Sequence, residues 1–511
     1  MSDPPRIGVW HRDDLRLRDN AALSEAVTDA DGRVVPLFVF DPQFYESGMA
    51  CDGRIRFVHE CIKALAAEYD ARGTTLRLVR GDPREVIPAL DVDGVYVNRS
   101  VTGRYGRERD DELFAMPGVE PVADDGIDWD DRPRRTYDWQ AQAESYFETE
   151  PTPAPTAADL DSLSVGTALP AETETTTVEA VERAHDTDPD KRDLPSGGEP
   201  AAWTRLRSFA ADITNYLGSI SPPARAEEDT SHLSPYFAVG CLTPRQAYRH
   251  VETEAAGGQA RSLFTTRLFW NRHFSQKLAD WPGLMERAVN PVFRGLFRDR
   301  HDPETARAWK EGQTGFPLVD ASMRALRETG WLNFRMRAMC TTFYALVLRN
   351  WWRVGADHFY RHLVDADPAI NYAQWQMQSG LYGVHPLRIY DPAKQVREND
   401  PDGEFVREYV PELRAFPTDY LDRPEKAPLS VQQECGVRIG EDYPLPVVDF
   451  EARREETREL FGRLRDRAKA ALEDPEIRRR ASLSRRHSRE GAGVDDEEPP
   501  TTEAQAGLDE F

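Results

Sequence analysis

The run Asp365-Ala366-Asp367-Pro368-Ala369-Ile370-Asn371-Tyr372-Ala373-Gln374-Trp375 carries more chemistry than packing requires. Proline suits the first helical turn, so the spacing predicts a helix opening at Pro368, with Asn371 and Trp375 at i and i+4 on one face. That face offers a ring-shaped ligand an amide, an oxidisable indole and two carboxylate anchors. A second segment, Thr230-Ser231-His232-Leu233-Ser234 before Pro235, bunches small hydroxyls at a helix start. Such a start holds an anion with side-chain and backbone donors, or serves as a plain N-cap. Taken singly, Trp352 and Trp375 are equally what a helical core uses, and Arg267, Arg272, Arg335, Arg388 and Lys394 what a solvated helix face uses. His358 and His362 stand at i, i+4 without an HExxH context, so no metal is expected.

These residues need helices to hold them. Beyond Trp203 the chain has long amphipathic stretches such as Leu318, Val319, Met323 and Leu326 before Gly330, which predict an all-helical domain over 201–481. The N-terminal part alternates instead. Ile7–Trp10, Val34–Phe40, Leu76–Val79 and Val95–Val97 read as strands, while Ile55, Val58, Ile62, Leu65 and Tyr69 recur at helical spacing. This rhythm predicts a doubly wound α/β domain with a parallel sheet over 1–135. It lacks GxGxxG and GxxxxGK[ST], so dinucleotide-fingerprint and P-loop chemistry are not signalled. Residues 136–200 are rich in Thr, Pro, Ala and acids, as expected of a solvated linker with one short helix near Val178–His185. Residues 482–511 read as a disordered acidic tail.

Composition bounds the partners. The 511 residues carry 65 Lys and Arg against 89 Asp and Glu, a net charge of −24, which excludes an unselective polycation hold on nucleic acid or anionic membrane. Contact with phosphates must come from a local patch. Only seven of the cations are lysines; dense carboxylates with arginine fit a salt-loving cytoplasm, and a GC-rich genome also accounts for the arginine. Cys51, Cys61, Cys241, Cys340 and Cys435 form no CxxC pair, in keeping with a reducing cytoplasm. With no basic-then-apolar leader and no run of about 18 apolar residues, the chain is expected to be cytoplasmic rather than secreted or membrane-spanning.

Several blocks in order resemble the DNA photolyase/cryptochrome family: Thr230–Ser234 with Pro235 and Gly240, Trp309-Lys310-Glu311-Gly312-Gln313-Thr314-Gly315-Phe316-Pro317 with Val319-Asp320, Gly330-Trp331, the Asp365–Trp375 run, and Gly403-Glu404-Phe405 before Pro411-Glu412-Leu413. Val9–Arg16 with Asp19-Asn20 is similar to the start of that family's N-terminal domain. The resemblance implies a Rossmann-like antenna domain and a helical domain holding FAD, with a second chromophore of folate or deazaflavin type as an option. Carried over, Tyr216, Thr230, Ser231, Leu233 and Ser234 would hold the phosphates and ribitol. Arg337 would pair with Asp365, Asp367 would bond the ring edge and Asn371 would face N5. Trp375 would be the first electron donor and Trp352 the second.

The departures fall on the substrate side. Arg267 stands where dimer-repairing photolyases have a glutamate three residues before the pocket tryptophan, here Trp270. Asn333-Phe334 replaces His-Asn, Ala338 a methionine, and Met377 a second tryptophan; the two histidines of six-four photolyases are absent. Asp299 falls near the third tryptophan of the electron chain, leaving Trp351, Tyr360 or Tyr344 as relays. The expected function is light-driven repair of pyrimidine dimers in UV-damaged DNA by a monomer, with Trp270, Arg267, Asn333, Phe334, Arg335 and Met377 around the lesion. The alternative is a cryptochrome-like blue-light receptor without repair activity.

Overall fold

In a computed structural model, residues 5–31, 33–130, 136–160, 175–188, 190–384 and 387–481 are described. Five parallel strands, β1 (Ile7–His11), β2 (Val34–Phe40), β3 (Arg77–Arg80), β4 (Gly94–Asn98) and β5 (Val119–Val122), form one sheet in the order β3-β2-β1-β4-β5. Central β1 is buried along its whole length, pairing Ile7 with Val34 on one side and with Gly94 on the other. Continuous apolar runs mark such doubly covered parallel strands. Strand β5, Val-Glu-Pro-Val, is not among the strands read from the sequence. It is a four-residue edge with Pro121 and an exposed Glu120, so its signal is weak. Helices α1 (Ala21–Asp29), α2 (Asp52–Asp70) and α3 (Arg104–Phe114) join the strands.

The linker is not simply solvated. Its first part is helix α4 (Thr136–Glu148), which buries Trp139, Ala143, Tyr146 and Phe147; α5 (Val178–Ala184) buries Val178 and Val181. Thr175 forms an antiparallel bridge to Val79, covering part of the β3 edge. Lys191 is buried, its Nζ donating to the Arg327 carbonyl at 2.6 Å. A few large anchors suffice to lay a polar strap across two domains, which average composition conceals. The expected tail, 482–511, lies outside the described residues.

The C-terminal part is helical. The elements around the site are α6 (Glu199–Ala211), α7 (Pro223–Asp229), α8 (Ser234–Ala238), α9 (Pro244–Glu254), α10 (Gln259–Asp280), α11 (Pro303–Glu311), α12 (Pro317–Thr329), α13 (Phe334–Thr342), α14 (Trp352–His362) and α15 (Pro368–Gln378). Further along the chain are α16 (Glu404–Tyr409), α17 (Phe450–Ala471) and α18 (Pro475–Ala481), among others. Trp309, Leu318, Met323 and Phe343 are fully buried in the core of this part. A second core spans both domains, packing Val9, Phe57 and Leu65 with Leu206, Tyr236 and Leu268. The domain contact is specific as well as apolar. Buried Arg245 on α9 bonds Asp19 and reaches Asp124 at 2.6 Å, and the Leu17 amide donates to Glu199 at 2.9 Å. Gly240, at φ +66°, lies so close that a Cβ there would meet the Asp13 carbonyl oxygen at 2.0 Å.

Candidate cofactor and lesion site

A cavity of ≈ 290 Å³ opens among α8, α10, α13 and α15. Helix α10 lines it with Phe264, Arg267, Leu268, Asn271 and Phe274, which recur at three- and four-residue steps on one face, and with Trp270 beside them. Helix α15 contributes Asn371, Gln374, Trp375 and Gln378, again at i, i+3, i+4 and i+7, so the face read from the sequence points into the cavity. Pro368 opens that helix and Asp367 caps it, its carboxylate accepting from the Ile370 amide at 2.9 Å.

One end of the cavity is polar. Thr230, Ser231, His232 and Ser234 form its wall with Tyr216. Arg205 on α6 donates to the Thr230 and Ser231 carbonyls at 2.6 and 2.8 Å, drawing these acceptors outward. Thr230 Oγ1 donates to the Ala226 carbonyl at 2.7 Å, continuing α7 by one bond. His232 sits in the left-handed region at φ +48°, its ring 4.4 Å from that of Trp331. Burial pushes its pKa down to about 4, so the ring is neutral near pH 7. Tyr216 OH accepts from Arg267 Nη1 at 2.7 Å, and the Arg267 guanidinium also lies over the Tyr216 ring.

The other end is aromatic, with Trp270, Phe274, Phe334, Phe359 and Trp375. One ion pair crosses it: Arg337 Nη2 donates to both Asp365 oxygens at 2.8 and 3.1 Å, while Arg337 Nε is held by the Leu332 carbonyl at 2.8 Å. The Asp365 side chain is 3 % exposed and that of Arg337 24 %. Asn371 Nδ2 donates to the Ala356 carbonyl at 3.0 Å, which leaves its Oδ1 as the acceptor this amide can offer a ligand. Trp375 Nε1 is buried without a hydrogen-bond partner.

Of the expected site residues, Tyr216, Thr230, Ser231, Ser234, Arg337, Asp365, Asn371, Trp375, Trp270, Arg267, Asn333 and Phe334 line this one cavity. The others stand apart from its wall. Leu233 is fully buried in the interdomain core. Asp367 spends an oxygen on the helix cap, and burial raises its carboxyl. Met377 packs on the outer cluster with Leu278 and Trp281. Arg335 lies over Tyr390, 5.6 Å from the ring centroid. Asn333 reaches the wall, but its amide is engaged elsewhere: Nδ2 donates to the Ile220 and Ser221 carbonyls at 3.0 Å, and Oδ1 caps α13. It therefore orders the wall rather than offering donors to a substrate.

Trp352 is buried outside the cavity, its ring 6.4 Å from Tyr372, which in turn lies 5.9 Å from Tyr360. The rings meeting Trp375 are Phe359 at 5.2 Å, Tyr344 at 5.9 Å and Trp309 at 6.0 Å. Tyr344 arrives there because α13 runs into a π-helical turn over Phe343–Val347. Such a turn adds a residue and re-aims side chains, and hydrophobic periodicity does not announce it. Arg205, His232, Asn271, Trp331 and Gln374 are wall or wall-holding residues absent from the expected set. The α10 spacing signals Asn271; Arg205 acts through backbone carbonyls and leaves no pattern.

Three kinds of likeness agree with this geometry. Residues 264–463 match the FAD binding domain of DNA photolyase and residues 7–120 match DNA photolyase. A deoxyribodipyrimidine photo-lyase of Synechococcus is 31 % identical over 506 residues, covering 92 % of this chain and 98 % of that one. A cryptochrome DASH of Natronomonas pharaonis is also 31 % identical, covering 87 % and 98 %. Among solved structures, a Synechocystis cryptochrome superposes with a TM-score of 0.77 at 26 % identity over 90 % of this chain and 99 % of that one. A class III photolyase of Agrobacterium tumefaciens gives 0.72 at 26 % over 93 % and 98 %. With both domains matched and relatives aligned over nearly their full length, the chain belongs to the DNA photolyase/cryptochrome family.

Proposed function

We propose that this protein is a light-driven FAD enzyme that repairs pyrimidine dimers in UV-damaged DNA. The observation that carries this reading is a single cavity with a hydroxyl-rich end, an Arg337–Asp365 pair, the Asn371 amide and an aromatic end including Trp270 and Trp375. The residues fit a flavin dinucleotide: Tyr216, Thr230, Ser231 and Ser234 suit its polar chain, and the aromatic end suits its planar ring. Bound there, FAD supplies light absorption and one-electron chemistry, while the protein supplies position and electrostatics. Arg337 is kept in place by Asp365 and Leu332 and would present positive charge to the ring. The Asn371 oxygen would accept a hydrogen bond from a ring N–H. Trp375, with an unbonded indole N–H, would serve as an oxidisable side chain at the cavity wall, and Trp309 and Tyr344 extend the aromatic contact beyond it. Trp270 and Phe334 form an apolar face for a pyrimidine dimer, two adjacent bases of one strand, flipped out of the duplex, an extrusion that costs less at a lesion because stacking is already broken.

Arg267 replaces an acceptor with a donor and is tied to Tyr216, so lesion recognition rests more on stacking than on a carboxylate. The test is an oligonucleotide carrying thymine dimers, incubated with reduced, flavin-loaded protein in blue light and in the dark. Light-dependent loss of dimers supports repair. A flavin-loaded protein that leaves both cyclobutane and six-four products intact turns the reading to a cryptochrome-like sensor, which the likeness to the Natronomonas and Synechocystis cryptochromes supports.

A further inference from the structure

Helix α18 lies beyond residue 463, where the match to the FAD binding domain ends, so cofactor binding does not account for it. Its last residue, Ala481, is fully buried in a cluster with Phe274 and Trp281 whose edge includes Trp270. Buried Lys277 donates to the Arg480 carbonyl at 2.8 Å, which fixes the end of α18 to α10 one turn past the cavity residue Phe274. A cation at a helix C-terminus is favoured by the helix dipole.

What α18 brings there is charge. The Trp281 ring has the Arg480 guanidinium 4.8 Å from its centroid and that of Arg287 at 5.9 Å. Arg294 is held below its ordinary range by burial and then by Arg287 and Arg480; Lys277 is lowered by burial and also feels Arg479. Arg287 and Arg294 are exposed. The nearby carboxylates are Asp280, Glu286 and Glu476, the last shared by Arg479 and Arg480 at 2.7 Å each. The sequence stays basic past α18, with Arg485, Arg486 and Arg489 before Glu490. In a chain of net charge −24, gathering cations around one indole costs free energy that a polyanion would offset.

We infer that the arginine patch around Trp281 is a second contact for the DNA backbone, flanking the lesion site. The inference rests on the repair reading for its partner. From Trp270 to Trp281 the helix rises about 16 Å at 1.5 Å per residue, and phosphates on one strand are spaced about 3.4 Å apart. That separation is comparable to about five phosphate steps of one strand, so a backbone can reach from the cavity to the patch.

The test measures binding of flavin-loaded protein to a duplex with a central thymine dimer, and to its undamaged twin, across a range of KCl concentrations. The double variant Arg287→Ser/Arg294→Ser changes two exposed cations of the patch and should leave the flavin spectrum intact. The expected result is a slope of log affinity against log salt shallower by about 1.8, at about 0.9 per lost phosphate contact, with an unchanged ratio of damaged to undamaged binding. Arg287→Lys/Arg294→Lys should retain the slope. An unchanged slope in the Ser variant overturns the inference while a surviving dimer preference leaves repair standing. Loss of dimer preference in the wild type with a Ser-sensitive slope does the reverse. A Ser-sensitive attachment to phosphatidylglycerol vesicles, with the DNA slope unchanged, also overturns it.

Discussion

A single ion pair and a single indole set most of the chemistry available at the cavity. Asp365 is nearly fully buried and neutralises Arg337. Asp365→Ala should destabilise the fold by about 3 kcal/mol, the low end for breaking a buried pair because Arg337 keeps some contact with water. Chemical denaturation and the flavin absorbance of the purified variant check this; full stability with flavin retained would show that Arg337 finds another partner. Trp375→Phe keeps the ring packed against Phe359, Tyr344 and Trp309 but is far harder to oxidise. It should retain FAD and lose blue-light photoreduction, followed as bleaching of the oxidised flavin band. Trp352→Phe should have the smaller effect, since the Trp352 ring meets Tyr372. Equal bleaching in wild type and Trp375→Phe would send the electrons by another route.

At the scale of elements, close contacts and one raised carboxyl position the site. Helices α14 and α15 meet at Gly355, where a Cβ would lie 2.3 Å from Trp375 Cη2 and 2.9 Å from Tyr344 Cδ1. Gly355→Ala gains about 1 kcal/mol of helix propensity. Overpacking typically costs about 1–3 kcal/mol, and a clash this short belongs at the upper end, so the net should be a loss of about 1–2 kcal/mol. Urea denaturation reads it; a stabilised variant would mean that Trp375 moves freely. Behind the hydroxyl-rich loop, Tyr409 OH on α16 donates to Glu227 on α7 at 2.8 Å, and burial pushes Glu227 up to about 7. A carboxyl whose folded pKa is raised stabilises at low pH and loses that stabilisation as pH rises through the folded value. Between about pH 4.5 and 7, wild type should therefore lose stability relative to Glu227→Gln. Parallel Tm profiles for the two proteins would contradict this.

For the whole molecule, net charge governs the response to salt. At −24 the folded chain repels itself, and the Debye length falls from about 10 Å at 0.1 M to about 3 Å at 1 M. Tm should rise with KCl and level off near about 1 M, where screening of exposed charges is nearly complete. A flat or falling Tm would mean that surface pairs such as Arg438–Glu441 and Arg307–Glu311 already balance the repulsion.

Periodicity and local chemistry made two kinds of information legible in the sequence: the alternation that gives a parallel sheet and then a helical domain, and the i, i+4 face of Asn371 and Trp375 opened by Pro368. Both depend on neighbours within a turn or two, which is the range over which residue type dictates backbone form. Tertiary structure alone decided whether a polar side chain faces the cavity or is used up elsewhere. Asn333 and Asp367 carry suitable groups, yet each caps a helix, because an unsatisfied helix start competes for the same atoms as a ligand. Arg205 entered the site through carbonyls that every residue possesses, and Tyr344 through a π-helical turn, neither of which leaves a mark in residue type. The burial of linker residues was hidden for the same reason: that of Trp139, Phe147 and Lys191 is fixed by the surfaces they meet, and those surfaces come from segments more than a hundred residues away.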